Sequence, residues 1–314
     1  MESVPNVLRL GWGTMGDIKL FDVQGLNVTA LPSTILKLEK RLQTIFEQNL
    51  EILLGVRFLA SEFPTQDGRM DTLGIDENGY PVIIEYKRQS DENVINQGLF
   101  YLNWLMDHQA AFELMVRDTL GTDVAKTIDW SEPRLICIAG DFKKYDLFAV
   151  KQMPRNIELI RFALFDDDKL LLDQLTSTSG ESANAKAKST IGVTLYRTVS
   201  EDLAAANDTL RNLYADVDAA LMSLGDDVQQ RATKFYFAYK RIQNFACMEV
   251  KRNVGTGVIR LYLKVDPDTV EQNKIFRDVR EVGHFGTGDL EVTITSVDDI
   301  DIVMPYIRKS YEGS

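Results

Sequence analysis

Glu85 and Lys87 stand two residues apart in the run Val82-Ile83-Ile84-Glu85-Tyr86-Lys87, and Asp71 stands in the preceding run Gly68-Arg69-Met70-Asp71-Thr72-Leu73-Gly74. The two runs read as strands joined by a tight turn at Asp76-Glu77-Asn78-Gly79. Side chains alternate along a strand, so Glu85 and Lys87 share one face and Val82, Ile84 and Tyr86 form the other, which reads as core. A carboxylate beside an ammonium, opposite a strand bearing Asp71, can hold a divalent metal and a water. The carboxylates supply hard oxygen ligands, and the lysine sits where a nucleophilic water must lose a proton. The apolar residues before Glu85 suggest a central strand, where a polar pair is costly unless it has a purpose. The plainer alternatives are an Asp71 that accepts backbone hydrogen bonds near a turn, and a Glu85–Lys87 surface pair worth little to stability.

An acid, a spacer and then Glu-X-Lys on a hydrophobic strand resembles the core motif of the PD-(D/E)XK nuclease superfamily, with Asp71 and Glu85-Tyr86-Lys87 in the motif positions. Upstream, Leu36-Lys37-Leu38-Glu39-Lys40-Arg41-Leu42 opens a helix, on which family members often carry a further metal-associated Glu. The resemblance favours Glu39 for that role; Glu47, two turns later on a similar face, is the other choice. Downstream, Gln97-Gly98-Leu99-Phe100-Tyr101 fits the Gln-X-X-X-Tyr element of the exonuclease-like branches. The ordered set, over roughly residues 20 to 125, looks most like the archaeal and actinobacterial mismatch-endonuclease (NucS-like) branch. It implies a restriction-endonuclease-like fold, Mg²⁺ or Mn²⁺ at Asp71 and Glu85, and DNA as substrate.

Gln97 and Tyr101, four apart, share a helix face. Either Tyr101 is core beside Leu105, or Gln97 faces the site while Tyr101 contacts a phosphate or braces the lysine. Arg69 and Arg88 flank the motif as phosphate-binding candidates, or serve solubility.

The elements that must position these residues follow from periodicity. Residues 1 to 30 read as short strands. A helix follows Pro32-Ser33 and ends at Gly55, with Leu38, Leu42, Ile45, Phe46, Leu50 and Leu53 at three- and four-residue steps. Phe58 to Phe63 begins the sheet. After the motif come a long helix from about Asp91 to Arg117, a buried strand Arg134–Gly140, a helix Lys143–Val150 and a strand Ile157–Phe162. This is an α/β sandwich around a mixed sheet. The stretch from 176 to 199, rich in Ser, Thr, Ala, Gly, Asn and Lys near its start, reads as a flexible linker. The expected organisation is thus a nuclease-like domain over 1–175, the linker over 176–199, and a smaller α+β accessory domain over 200–314.

In that second domain one amphipathic helix is expected from Glu201 to Leu224. Strands are expected at Ala232–Tyr239, Phe245–Lys251, Val258–Val265 and Leu290–Ile294, with a loop at Gly283–Asp289 and a closing helix from Val297 to Tyr311. It resembles a C-terminal domain of unknown function sometimes labelled "predicted transport protein". Basic residues from Arg231 to Arg260, interleaved with Phe235, Tyr236, Phe237, Tyr239 and Phe245, suit single-stranded nucleic acid if they are exposed, or a core if they are not. His284 reads as a loop or core residue.

With 314 residues, 45% hydrophobic and 26% charged, the chain can bury two cores. Its net charge of −12 argues against a nonspecific DNA coat, though not against a nuclease with a locally basic surface. No apolar run reaches spanning length. The opening Met1-Glu2-Ser3-Val4-Pro5 lacks a basic, then apolar, leader, and Cys137 and Cys247 read as buried free thiols, so a cytoplasmic protein is expected. The expected function is a metal-dependent phosphodiesterase acting on DNA, with a homodimer as a plausible arrangement because duplex cleavage needs two cuts. Its rival is a non-catalytic nucleic-acid-binding or regulatory module that keeps the nuclease fold.

Overall fold

The computed structural model describes residues 18–34, 39–87, 93–166, 168–178, 198–252, 254–255 and 257–314. An exposed antiparallel hairpin comes first, β1 (Leu20–Gln24) and β2 (Asn27–Leu31), which pairs with neither of the larger sheets. Then follow β3 (Ser33–Thr34), α1 (Glu39–Glu47), α2 (Leu50–Leu54), β4 (Val56–Thr65), β5 (Gly68–Asp76) and β6 (Pro81–Lys87). Next are α3 (Asn93–Asp107), α4 (Gln109–Leu120), α5 (Thr122–Ala125), β7 (Arg134–Ala139), α6 (Lys144–Val150), β8 (Asn156–Phe165) and β9 (Lys169–Ser177).

β3 to β9 form one mixed sheet in the order β3-β8-β7-β6-β5-β4, with β9 also on β8. β6, β7 and β8 run parallel, and the β4–β5–β6 meander is antiparallel. The turn between β5 and β6 is built by Asp76, whose Oδ1 accepts the amides of Asn78 and Tyr80, both at 2.9 Å. One sheet face packs on α1 and α2 through Leu42, Phe46, Leu50, Ile84, Tyr86 and Ile138. The other packs on α3, α4 and α6 through Leu73, Ile83, Cys137, Leu102, Phe112 and Val150.

Several elements depart from the sequence reading. The single helix before Gly55 is two, with β3 where its start was expected, and Gly55 in the left-handed conformation (φ 63°) stops the second. The long helix after the motif breaks at His108 into α3 and α4. β9 was not anticipated, and it carries Thr176 and Ser177 into the sheet opposite Leu159 and Glu158, two residues past the expected start of the linker.

The C-terminal half contains α7 (Val199–Ala204), α8 (Asp208–Met222), β10 (Gln229–Ala232), β11 (Phe237–Lys240), β12 (Asn244–Lys251), β13 (Val258–Leu263), β14 (Phe276–Asp278), β15 (Leu290–Ile294) and α9 (Asp298–Glu312). The helix expected over Glu201–Leu224 is split because Asn207 starts a new one, its side chain accepting the Leu210 amide at 2.8 Å. The six strands are ordered β10-β11-β12-β13-β15-β14, with α7, α8 and α9 contributing to the core on one face.

The strands' basic and aromatic residues do not form an open nucleic-acid surface. Phe237, Tyr239 and Phe245 lie in the core, Tyr236 is buried, and Lys240 is buried beside Glu158 at 3.4 Å. Arg231, Arg252 and Arg260 pair with Glu132, Asp202 and Glu291. Much of this stretch instead meets the other sheet at the β5–β6 turn. Tyr236 Oη donates to Asn78 Oδ1 at 2.9 Å, the Asn244 amide donates to Glu77 Oε2 at 2.9 Å, and Lys264 pairs with Glu77. The strand expected over Ala232–Tyr239 is a hairpin instead, with β10 ending at Ala232 and pairing antiparallel with β11 from Phe237, and alternation could not tell aromatics facing solvent from aromatics facing helices.

Candidate active site

Continuing the β5–β6 register beyond the pair Thr72–Ile84 places Asp71 opposite Glu85. Both belong to the α3-facing side of the sheet, in phase with Leu73 and Ile83, and Lys87 follows Glu85 by one strand period. Beyond strand pairing, the two acids are tied directly. The Asp71 amide donates to Glu85 Oε1 at 3.2 Å, and Asp71 Oδ2 accepts the Tyr86 amide at 3.0 Å. Each carboxylate thus takes a backbone donor from the facing strand, which fixes both side chains.

Glu85 is fully buried, and its Oε2 has no hydrogen-bond partner. Burial, and then the charge of Asp71, push its pKa up to about 8, with a side-chain interaction with the Asp71 carboxyl adding to the rise, against smaller opposing effects from the Asp71 amide and from Lys87. A buried carboxylate with an orphaned oxygen beside a second carboxylate is unfavourable in isolation. The donor set suits a small hard cation, which takes oxygen ligands and would relieve the repulsion. Among the described residues no three Asp, Glu, His or Cys side chains converge on one point, so the site is a carboxylate pair. Lys87 is half-buried and aligned with Ala139 of β7.

α1 packs on the opposite sheet face, where Phe46 meets Tyr86 with ring centroids 5.6 Å apart. Glu39 is its first residue. Glu47 does not join the acid pair: its Oε1 accepts Thr72 Oγ1 at 2.7 Å and Gln43 Nε2 at 2.9 Å. Gln43 also donates to the carbonyl of Asp71 at 2.8 Å. It braces β5 at Asp71, a contact that sequence reasoning missed. Its only signal was the four-residue step to Glu47, which many solvated helices share.

Gln97 and Tyr101 do meet, with Gln97 Nε2 donating to Tyr101 Oη at 3.1 Å. Tyr101 is buried, and its oxygen also accepts the Arg69 amide at 3.0 Å. The pair therefore fastens the start of β5 to α3, two residues from Asp71. Both glycines of the region allow this approach. A Cβ on Gly68 would lie 2.5 Å from Tyr101 Oη, and one on Gly98 of α3 would lie 2.5 Å from Leu135 Cδ1 on β7. The Arg69 side chain is exposed and paired with Glu62 at 2.5 Å, and Glu62 also holds Lys40 at 3.0 Å. Arg88 lies outside the described residues.

Cys137 and Cys247 are both buried and unpaired. His284 sits in an exposed loop, stacked on Tyr262 at 4.3 Å. Among the described residues no helix is long and apolar enough to cross a membrane.

Residues 199–314 match the family model of a domain of unknown function, DUF5655. Over 305 residues the chain is 29% identical to an uncharacterized protein of Haemophilus influenzae (strain Rd), which covers 93% of this chain and 99% of that protein. Two solved structures show partial likeness. A repair endonuclease from Pyrococcus abyssi aligns at 17% identity and a TM-score of 0.28, over 43% of this chain and 51% of its own. An EndoMS–dsDNA complex aligns at 15% identity and a TM-score of 0.25, over 46% of this chain and 64% of its own. The chain therefore spans about half of the first structure and under two thirds of the second.

Proposed function

We propose that this protein is a metal-dependent phosphodiesterase acting on DNA, with Asp71, Glu85 and Lys87 as its reacting constellation. The observation that carries the reading is the orphaned, fully buried Oε2 of Glu85 beside the Asp71 carboxylate. The acid–spacer–Glu-X-Lys resemblance, now seen as two facing strands with both acids on one face, supports it.

Asp71 and Glu85 would hold Mg²⁺ or Mn²⁺, and the Tyr86 carbonyl is a further candidate ligand. Bound there, the cation supplies Lewis-acid polarisation of a phosphate oxygen and a water of lowered pKa. The protein's own part is positional. The amides of Asp71 and Tyr86 lock the two carboxylates, and Gln43 and Tyr101 hold β5 from either side of the sheet. Lys87, one strand period beyond Glu85, would orient or deprotonate an attacking water, or offset charge growing on the phosphate oxygens.

A non-catalytic module is the rival. Against it stands the cost of the acid pair: two carboxyl groups held on one face with Glu85 buried repel each other whenever both are ionised, and a module needing only the fold gains from replacing one of them. The test is cleavage of labelled single-stranded and duplex DNA by the purified chain. Activity is expected with Mg²⁺ or Mn²⁺, not with Ca²⁺, and is expected to vanish in Glu85→Gln. Calorimetry with Mg²⁺ on wild type and Asp71→Ala provides the second readout. No heat that depends on Asp71 would refute the metal site.

A further inference from the structure

The exposed face of α6 combines cations with aromatic rings open to water. From Lys143 to Lys151 there are three lysines and one aspartate, within a protein of net charge −12. Two aromatic rings on this short helix are turned to water: Tyr145 is 82% exposed and Phe148 49%. Lys144, Phe148 and Lys151 follow the i, i+4, i+7 spacing of one helical stripe. The Lys144 ammonium lies 5.9 Å from the Phe148 ring centroid, so cation and ring form one patch. A single exposed aromatic is ordinary. Two beside a lysine stripe are not accounted for by packing, because Leu147, Val150 and the preceding Phe142 already anchor the segment in the core.

Its placement gives the patch meaning. β6 and β7 are parallel, and Lys87 aligns with Ala139, the last residue of β7. The chain then needs only 140–143 before α6 begins. The start of α6 is therefore at the same end of the sheet as Glu85 and Lys87. The core residues of α6 pack on the same sheet face as Ile83 and Leu73, in phase with Glu85 and Asp71. Cys137, beside Glu85 in the ladder, feels the charges of both Glu85 and Asp146 of α6. The other end of the sheet, at the β5–β6 turn, is taken up by the C-terminal half.

We propose that the Lys144, Tyr145, Phe148 and Lys151 face of α6 binds unpaired DNA next to the Asp71–Glu85 site, with the rings stacking bases and the lysines contacting phosphates. This specifies the substrate class of that site and rests on its reading as a nuclease centre. Lysines alone would fit any polyanion. Rings open to water beside them fit a strand whose base faces are accessible, because in a duplex those faces are stacked away.

The test uses the full chain in Ca²⁺, with fluorescein-labelled oligonucleotides followed by anisotropy. Tyr145→Ala and Phe148→Ala should each weaken single-strand binding about tenfold or more, with a smaller effect on the matching duplex. Lys144→Glu and Lys151→Glu should each flatten the logarithmic salt dependence by about 0.7 for the single strand. Circular dichroism should be unchanged, since all four side chains are exposed. No binding by wild type, or unchanged affinity and salt slope in every variant, overturns the proposal. Equal weakening on single strand and duplex overturns the preference for unpaired bases. Cleavage that needs Glu85 but is indifferent to Tyr145 and Phe148 overturns the α6 proposal alone. Binding that needs α6 without any Glu85-dependent cleavage upholds it and removes the nuclease reading.

Discussion

The Asp71 amide donates to Glu85 Oε1 at 3.2 Å, while Oε2 of the same carboxylate is buried without a partner. One oxygen is thus held in place by the facing strand and the other is left for something else. Such an arrangement stores an electrostatic penalty in the metal-free protein, and that penalty can be measured.

Glu85 has a folded-state pKa of about 8, above its ordinary 4.5. Between those values the folded protein holds a proton that the unfolded chain releases, so stability falls as pH rises across that window and levels off above it. The loss is on the order of a few kcal/mol. Urea denaturation in EDTA should show it, and added Mg²⁺ should reverse it at the alkaline end. Glu85→Gln should flatten the profile, be more stable than wild type at alkaline pH, and gain nothing from Mg²⁺. A flat wild-type profile would mean that the acid pair is not desolvated as described.

Lys87→Ala separates binding from turnover. An ammonium has no lone pair to offer a cation, so Mg²⁺ should still raise the variant's unfolding midpoint. Turnover should fall by about 10²-fold or more, the usual scale for losing a positioned proton-transfer or charge-stabilising group. A variant that cleaves as fast as wild type would assign the activity to another site.

The acid pair was legible because its signal is local. Period two fixes the face of Glu85 and Lys87, and a short turn brings Asp71 opposite. Gln43 was not legible: its contact with the Asp71 carbonyl spans 28 residues, and only the packing of α1 creates it. The breaks at His108 and Asn207 were missed because the apolar stripe continues across both. The aromatics of β11 and β12 were identified as strand residues without revealing what covers them. Lys240 shows the same gap: its charge suggested an exposed contact, yet it is buried against Glu158 of the other sheet.

Tyr101 and Gly68 should prove coupled. Tyr101→Phe removes the acceptor for the Arg69 amide and the partner of Gln97, at a cost of about 0.5–1.5 kcal/mol. Gly68→Ala sets a Cβ 2.5 Å from Tyr101 Oη and should cost a similar amount through overpacking. The double variant should lose less than the sum of the two, because removing the hydroxyl makes room for the methyl. Strict additivity in a double-mutant cycle would show that the two do not touch.

The seam between the sheets holds a buried charge cluster. Glu158 is fully buried, bonded to Arg134 Nε at 2.8 Å and 3.4 Å from Lys240 Nζ. Burial raises its pKa, but Arg134 and then Lys240 outweigh that and hold it below 4.5. A depressed folded pKa contributes stability that is complete above the unfolded value and lost as pH falls through the folded one, so this cluster weakens only in acid. Glu158→Gln leaves Arg134 with Asp76 but strips the buried Lys240 ammonium of its carboxylate at 3.4 Å. The expected cost is about 3–5 kcal/mol, the scale for breaking a buried ion pair on one side. Adding Lys240→Met should recover much of it by removing the stranded charge. Urea titrations of the two single variants and the double variant measure this directly. If Lys240→Met fails to improve on Glu158→Gln alone, the ammonium is not confined at the seam, and the contact between the sheets rests on Glu77, Asn78 and Asn244 instead.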